Sequence, residues 1–377
     1  MFSKETTMNS IRKLAAAVVV GLSISAMAVS AMAQVLPGQA GPFPLNLLDN
    51  GNFNVATRGT TAKTGIANTA TYLWDRWAGY GGSSSSVSLT NITSSLPAGA
   101  NTPNFTNAAQ VQRASSNSNT AQICLVQEIP TADIIPLQGQ PFTLSFWALA
   151  GSNFSAASSN LTVQVTTGTG TDQGLASLIS GWTGAATPLS TTQAITANWQ
   201  RFAWTGTTAF ATTATEAAVQ LCFTPVGTAG TNDYFQTTGV QLERGTVASN
   251  FEWRDVGFEA LKDAKYFQCP VQETGHLGSP PQIFGTGVAT AATTGNVWVP
   301  YPTMRTAPSA AVSTAGSLES LATVSGLSLT SLGIAPVFYP NGAALPLVSS
   351  SGMSAGQVIF LASGPLATGQ YCVSSDF

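Results

Sequence analysis

The sequence predicts an all-β protein. Charged residues make up only 8% of its 377 positions, against about 25% in an ordinary soluble domain, so Ser, Thr, Asn and Gln must build the polar surface. The second observation is a series of short segments in which apolar and polar residues alternate, the period of a half-buried strand. The third is the spacing of 36 glycines and 20 prolines, which break the chain at intervals too short for long helices. Together these predict a sandwich or barrel.

Taken in chain order, the alternating segments are 121–129 (AQICLVQEI), 141–150 (PFTLSFWALA), 160–167 (NLTVQVTT), 198–205 (NWQRFAWT), 217–224 (AAVQLCFT) and 234–243 (YFQTTGVQLE). Clusters of Gly, Ser and Thr at 81–86 and 168–174 read as loops. One segment differs in period: in 255–267 (DVGFEALKDAKYF), Val256, Leu261, Ala264 and Phe267 recur at helical spacing, and Asp255 stands where it caps the first turn. This helix marks a domain boundary at 268/269. Beyond it, strand-like runs at 296–301, 334–339 and 357–362 form a second, smaller β domain at 269–377.

The first 33 residues carry a different signal. Arg12 and Lys13 precede an apolar stretch from Leu14 to Ala33 that ends in Ala31-Met32-Ala33 before Gln34, the order of a secretory leader. The competing reading is a membrane anchor, since the run approaches the roughly 20 residues that span a bilayer. Its Ala- and Ser-rich composition and cleavage-like end favour removal, leaving a first domain at 34–268. An uncleaved leader is the one route to membrane contact. A formal charge of -3, with thirteen basic residues scattered singly, gives no stripe that neutralises phosphates, which excludes nucleic acid as a partner.

Cys124, Cys222, Cys269 and Cys372 form no CxxC pair, which argues against zinc. Export permits disulfides; of three connectivities, Cys124 with Cys222 and Cys269 with Cys372 keeps each bridge inside one domain. Four free buried thiols are the alternative.

Several segments, in order, resemble the jelly-roll, carbohydrate-binding-like domain of phage tail fibre and virion proteins. They are 47–53 (LLDNGNF), Arg58-Gly59, Asp75-Arg76-Trp77, 125–129, 143–148 (TLSFWA), 199–202 (WQRF), 239–245 (GVQLERG), 251–254 (FEWR) and Lys265-Tyr266-Phe267. Residues 299–308 (VPYPTMRTAP) are similar to the start of the small β domain that follows in such fibres. The resemblance implies a jelly-roll β-sandwich, a short helix and a second, smaller β-sandwich, in a virion or surface appendage, often a homotrimer, that binds host-cell surface glycans during adsorption. A leader is unneeded for assembly in the host cytoplasm, which leaves three readings open: a segment that anchors the chain in a particle, a phage product that is exported, or the alternative of a secreted bacterial glycan-binding surface protein. Localisation is accordingly the virion or the extracellular surface.

Strand parity suggests a sugar-binding face. In 143–150, Leu144, Phe146 and Ala148 form the apolar side, and Trp147 points the other way. Gln122, Cys124, Val126 and Glu128 share one face of their strand, and Gln220 and Cys222 oppose Val219, Leu221 and Phe223. Gln241 and Glu243 likewise oppose Val240 and Leu242. If these strands are neighbours in one sheet, an aromatic ring lies among amides, the chemistry of a pyranose site. The candidate glycan contacts are Trp147, Gln127, Gln220, Gln241 and Glu243.

Catalysis is not expected. The single histidine, His276, lies in a Gly- and Pro-rich loop segment (ETGHLGSPP), and a carbohydrate-active hydrolase would need a carboxylate pair, such as Glu128 with Glu243 or Asp233, that nothing singles out. No cofactor is implied. A structural calcium bridging Asp49 with Glu243 or Asp255 is the one metal site the sequence suggests.

Overall fold

The computed structural model describes residues 46–99, 102–176, 181–272, 283–314, 319–321, 326–332, 337–349, 352–362 and 370–376. The leader-like stretch, Gln34 and His276 lie outside the described residues. Two antiparallel six-stranded sheets dominate residues 63–244. The first runs in the order β1 (Lys63–Ile66), β4 (Val87–Ile92), β5 (Ala108–Arg113), β12 (Tyr234–Arg244), β7 (Phe142–Ala150), β10 (Gln200–Thr205). The second runs β2 (Thr71–Trp74), β3 (Trp77–Gly81), β6 (Ile123–Ile129), β11 (Glu216–Phe223), β8 (Asn160–Gly168), β9 (Ala186–Ala194). Neighbours in each sheet come from distant parts of the chain, which gives the jelly-roll β-sandwich.

The period of two decides what fills the sandwich. Leu144, Phe146 and Ala148 on β7 and Ala217, Val219, Leu221 and Phe223 on β11 all reach zero exposure in a single core. Trp74 and Trp77 close one end of it, each 5.2 Å from the ring of Phe53. Phe53 is positioned by Asn50, whose backbone φ of 51° turns the chain. The Asn50 side chain donates to the Val55 and Asp75 carbonyls at 2.7 and 3.0 Å and accepts from the Val55 amide at 3.0 Å. The LLDNGNF motif is thus a buried amide staple.

Asp255 accepts from the amides of Gly257 and Phe258 at 2.9 and 3.2 Å, capping the helix Val256–Asp263. Its polarity is inverted: Glu259 and Asp263 are buried, whereas Val256, Phe258 and Leu261 are half or more exposed. The chain continues into β13 (Phe267–Gln272), β14 (Ile283–Ala289), β15 (Thr294–Pro300), β16 (Ser309–Thr314), β17 (Glu319–Leu321), β18 (Gly326–Leu332), β19 (Val337–Tyr339), β20 (Gly342–Ser349), β21 (Val358–Ala362) and β22 (Gln370–Ser374). These make a three-stranded sheet, β13-β22-β16, and a seven-stranded one, β15-β14-β21-β17-β18-β20-β19, in which β15 also pairs with β20. Tyr371 and Val373 of the small sheet share a core with Val297, Val299, Leu345 and Ile359 of the large one.

The four cysteines form two bridges, Cys124–Cys222 and Cys269–Cys372, and no cysteine is free. The first joins residues that the register of β6 and β11 already sets opposite one another. Among the described residues no helix is long and apolar enough to cross a membrane.

The scarce charges collect along a seam where residues 46–76, the 252–262 segment, Arg305 and Asp376 meet. Asp49 pairs with Lys262 and lies 3.6 Å from Arg76. Arg254 reaches Glu259 at 2.8 Å and donates to the Asn46 and Leu48 carbonyls. Arg58 meets Asp376 near the C-terminus, with its guanidinium 3.8 Å from the centre of the Phe267 ring. In the Met-Arg-x-x-Pro turn, Met304 is buried, and Arg305 donates to the Ser375 carbonyl at 2.8 Å and to Asp172 at 2.5 Å. Burial alone would raise the Asp49 carboxyl; Lys262, Arg76 and Arg254 outweigh it and hold the group below its ordinary range.

Candidate functional site

The strand register assembles a polar face on the outside of the second sheet. One cross-strand row reads Tyr80, Cys124, Cys222, Thr162, Thr192, and the next reads Ala78, Val126, Gln220, Gln164, Ser190. All these side chains point away from the core, because the residues between them, Leu125, Leu221 and Val163 among others, point into it. Residues on either side of 177–180 lie over one end of the face, with Leu175 and Trp182 packed in one cluster with Val126 and Cys222. Between that wall and Tyr80 lies a trough of about 320 Å³, within the range of small-ligand sites. Its floor is Cys124, Val126 and the amides of Gln164 and Gln220, with Gln122 at the rim.

The amides are held but not saturated. Gln220 Nε2 donates to Thr166 Oγ1 at 3.1 Å and Gln164 Nε2 to Ser190 Oγ at 3.2 Å; each side chain has further donor and acceptor capacity. Among the described residues no charged side chain lines the trough. Glu128 and Glu216 stand on the same face, in the rows beyond Gln220. Burial raises both, Glu128 to about 8 despite the opposing pull of Arg76.

The structure divides the sequence-derived contacts between two sheets. Gln220 lies in the trough, and Gln127, on the same sheet, is turned inward. Its Oε1 accepts from the Asp49 amide and its Nε2 donates to the Asp49 carbonyl, both at 2.7 Å, which pins the 46–50 segment.

Trp147, Gln241 and Glu243 are on the outer face of the first sheet, under a strap formed by residues 245–254. Gln241 donates to Ser249 Oγ at 2.9 Å and accepts from the Glu252 amide at 2.8 Å. Glu243 accepts from the Ser249 amide at 3.0 Å and its hydroxyl at 2.7 Å. Trp147 packs 6.4 Å from Phe105, which also contacts Phe251 and Trp253 of the strap. A bulge in β12 at Gly239, with φ of 61°, makes room for these rings.

The carboxylates considered for calcium have internal partners: Lys262 and Arg76 for Asp49, Ser249 for Glu243 and the helix amides for Asp255. Among the described residues no group of three or more His, Cys, Asp or Glu side chains is arranged to hold a metal.

Sequence reasoning passed over Tyr80, Gln164 and Trp182. Alternation in 160–167 puts Gln164 on the same side as Thr162 and Thr166, so that residue was within reach. Trp182 has no such signal: it belongs to an irregular segment, and its place follows from the fold alone.

The sequence matches no protein-family model and no curated protein. Among solved structures, the chain is similar to the enzymatically active domain of bacteriophage CBA120 tailspike protein 4, at 14% identity over 53% of this chain and 22% of that one, with a TM-score of 0.33. It is also similar to the CBM22-1 xylan-binding domain of Paenibacillus barcinonensis Xyn10C, at 11% identity over 54% of this chain and 96% of that one, TM-score 0.30. A third similarity is to TmCBM61, solved in complex with β-1,4-galactotriose, at 11% identity over 54% of this chain and 100% of that one, TM-score 0.28.

Proposed function

We propose that the protein is a non-catalytic glycan-binding protein of the extracellular surface, and that the trough on the second sheet is its binding site. The observation that carries this reading is the trough's lining: the rings of Tyr80 and Trp182 beside three glutamine amides, with no charge. A pyranose presents an apolar C–H face and a rim of hydroxyls, so one ring to stack on and amides that both donate and accept suit it. Two disulfides fit an oxidising compartment.

The assignment within that class is a phage tail fibre-like appendage that adsorbs to a host glycan, supported by the ordered motifs from LLDNGNF to MRTAP. The leader-like 14–33 stretch favours a second reading, a secreted bacterial surface protein. The two part on location: co-sedimentation with phage particles supports the first, whereas a supernatant protein beginning at Gln34 supports the second.

The site is tested on a glycan array and by calorimetry with whichever glycan binds. Tyr80→Ala and Gln220→Ala should each weaken binding about tenfold, the loss typical of one anchoring contact, with an unchanged melting temperature. Folded variants that bind as the parent does would rule out the trough.

A further inference from the structure

A second aromatic surface lies on the outer face of the seven-stranded sheet, away from the trough. Residues 283–362 carry only two charged side chains, Arg305 and Glu319. The register sets Thr286, Trp298, Ala344 and Val337 in one cross-strand row and Pro300, Gly342 and Tyr339 in the next. Trp298 is 38% and Tyr339 46% exposed, with ring centroids 5.5 Å apart and planes inclined at 54°.

Gly342 explains how the indole is held. A Cβ at this position would fall 2.1 Å from Trp298 Cζ2 and 2.6 Å from Cε2, so the ring lies against the bare backbone of the next strand. One face is held by the sheet and part of the ring remains open. The Tyr301 hydroxyl donates to the Tyr339 carbonyl at 2.9 Å, fixing the hairpin that carries the second ring. Thr286 and Asn296, both exposed, stand beside Trp298 on its own face of the sheet.

We propose that Trp298 and Tyr339 form a second carbohydrate-stacking platform, which takes a neutral pyranose. Trp298 offers the flat surface, Tyr339 the inclined wall, and Thr286 and Asn296 the hydroxyl and amide that hydrogen-bond the sugar rim. A ring fixed before binding loses little side-chain freedom when a ligand arrives. The lack of charge around the pair disfavours phosphate, acidic sugars and charged peptides, whose desolvation would go uncompensated. The platform goes beyond the trough and stands whether or not the trough binds.

The test uses the full chain in native gels containing xylan, mannan, galactan or mixed-linkage β-glucan, with Tyr80→Ala/Gln220→Ala as background so that the trough does not contribute. That background should still be retarded by at least one polysaccharide. Adding Trp298→Ala or Tyr339→Ala should weaken the apparent affinity about tenfold, and Trp298→Phe, which keeps a stacking ring, should restore most of it. Melting curves identify any variant that fails to fold, and the remaining substitutions then carry the test. The proposal is overturned if the background chain is retarded by none of the four, or if the folded platform variants migrate like it. It also fails if Trp298→Ala lowers the sedimentation-equilibrium mass, which would make the pair a contact between copies of the chain.

Discussion

Glu128→Gln should make the protein more stable at alkaline pH and leave it unchanged in acid. Glu128 projects from the outer face of β6 at 4% exposure, and neither carboxylate oxygen has a hydrogen-bond partner. The charged groups that act on it are Arg76 from the β2–β3 turn, Asp376 from the C-terminal segment, Glu216 from β11 and Arg305 from the turn after β15. Burial dominates and lifts the carboxyl from the ordinary 4.5 to about 8. Between those values the folded chain holds a proton that the unfolded chain has released, so stability is fully present below 4.5 and is lost as pH rises through about 8. A site that stays closed would lose ~5 kcal/mol over that window; water entering at the seam reduces this to ~3 kcal/mol. The glutamine stays neutral throughout. Thermal unfolding followed by tryptophan fluorescence from pH 4.5 to 9 should therefore give two curves that meet in acid and diverge by roughly 6 °C at pH 9. Parallel curves would refute the reasoning, because they would mean that Glu128 is ionised and solvated in the folded protein.

Three other perturbations act on stability. Arg254→Ala leaves the buried carboxylates of Glu259 and Asp49 short of a cation and releases the 46–48 segment; a loss of ~3–5 kcal/mol in denaturant unfolding is expected. Gly239→Ala places a methyl group 2.5 Å from Phe105 Cζ at a φ of 61°, so a cost of ~1–3 kcal/mol and an altered near-ultraviolet dichroism should follow. Removing Cys124–Cys222, whose partners are 98 residues apart, takes away ~4–5 kcal/mol by the loop-closure argument. The β6–β11 pairing stands without the bridge, so guanidinium titrations of the parent and of Cys124→Ala/Cys222→Ala, both keeping Cys269–Cys372, should differ in midpoint and share the same native dichroism.

Parity in the sequence was enough to say which side chains of β7, β11 and β12 enter the core, because a buried face permits one register only. It says nothing of sheet membership. Gln220 and Gln241 have the same pattern around them, yet β11 joins β6 and β8 while β12 joins β5 and β7, a choice made by long connections that no local alternation encodes. Local polarity also misleads for Gln241 and Glu243: a polar residue on an outer face reads as solvent-facing, and here the 245–254 strap supplies its partners. The helix shows the limit in another form. Its spacing and Asp255 cap were legible, but the spacing implies an apolar face turned inward, whereas the seam's Arg254 and Arg76 draw Glu259 and the 46–50 segment together and leave Val256, Phe258 and Leu261 outside.

The distribution of charge bears on the ligand as well as on the fold. Arg58, Arg76, Arg254, Lys262 and Arg305 are all engaged at the seam, with Asp376, Asp49, Glu259 or Asp172 as partners, while the trough is lined by amides, hydroxyls and rings. A ligand that relied on ion pairing would find no counter-charge there. Binding at the trough should then be nearly independent of ionic strength: raising salt from about 0.05 to 1 M shortens the screening length to about 3 Å and should change the dissociation constant by less than about twofold. Recognition through several ion pairs would instead weaken steeply over the same range, as it does for proteins that neutralise several phosphates of a nucleic acid. Calorimetric titration at the two salt concentrations separates the cases, and a steep salt dependence would show that the ligand is held by the charged seam and not by Gln164, Gln220 and Tyr80.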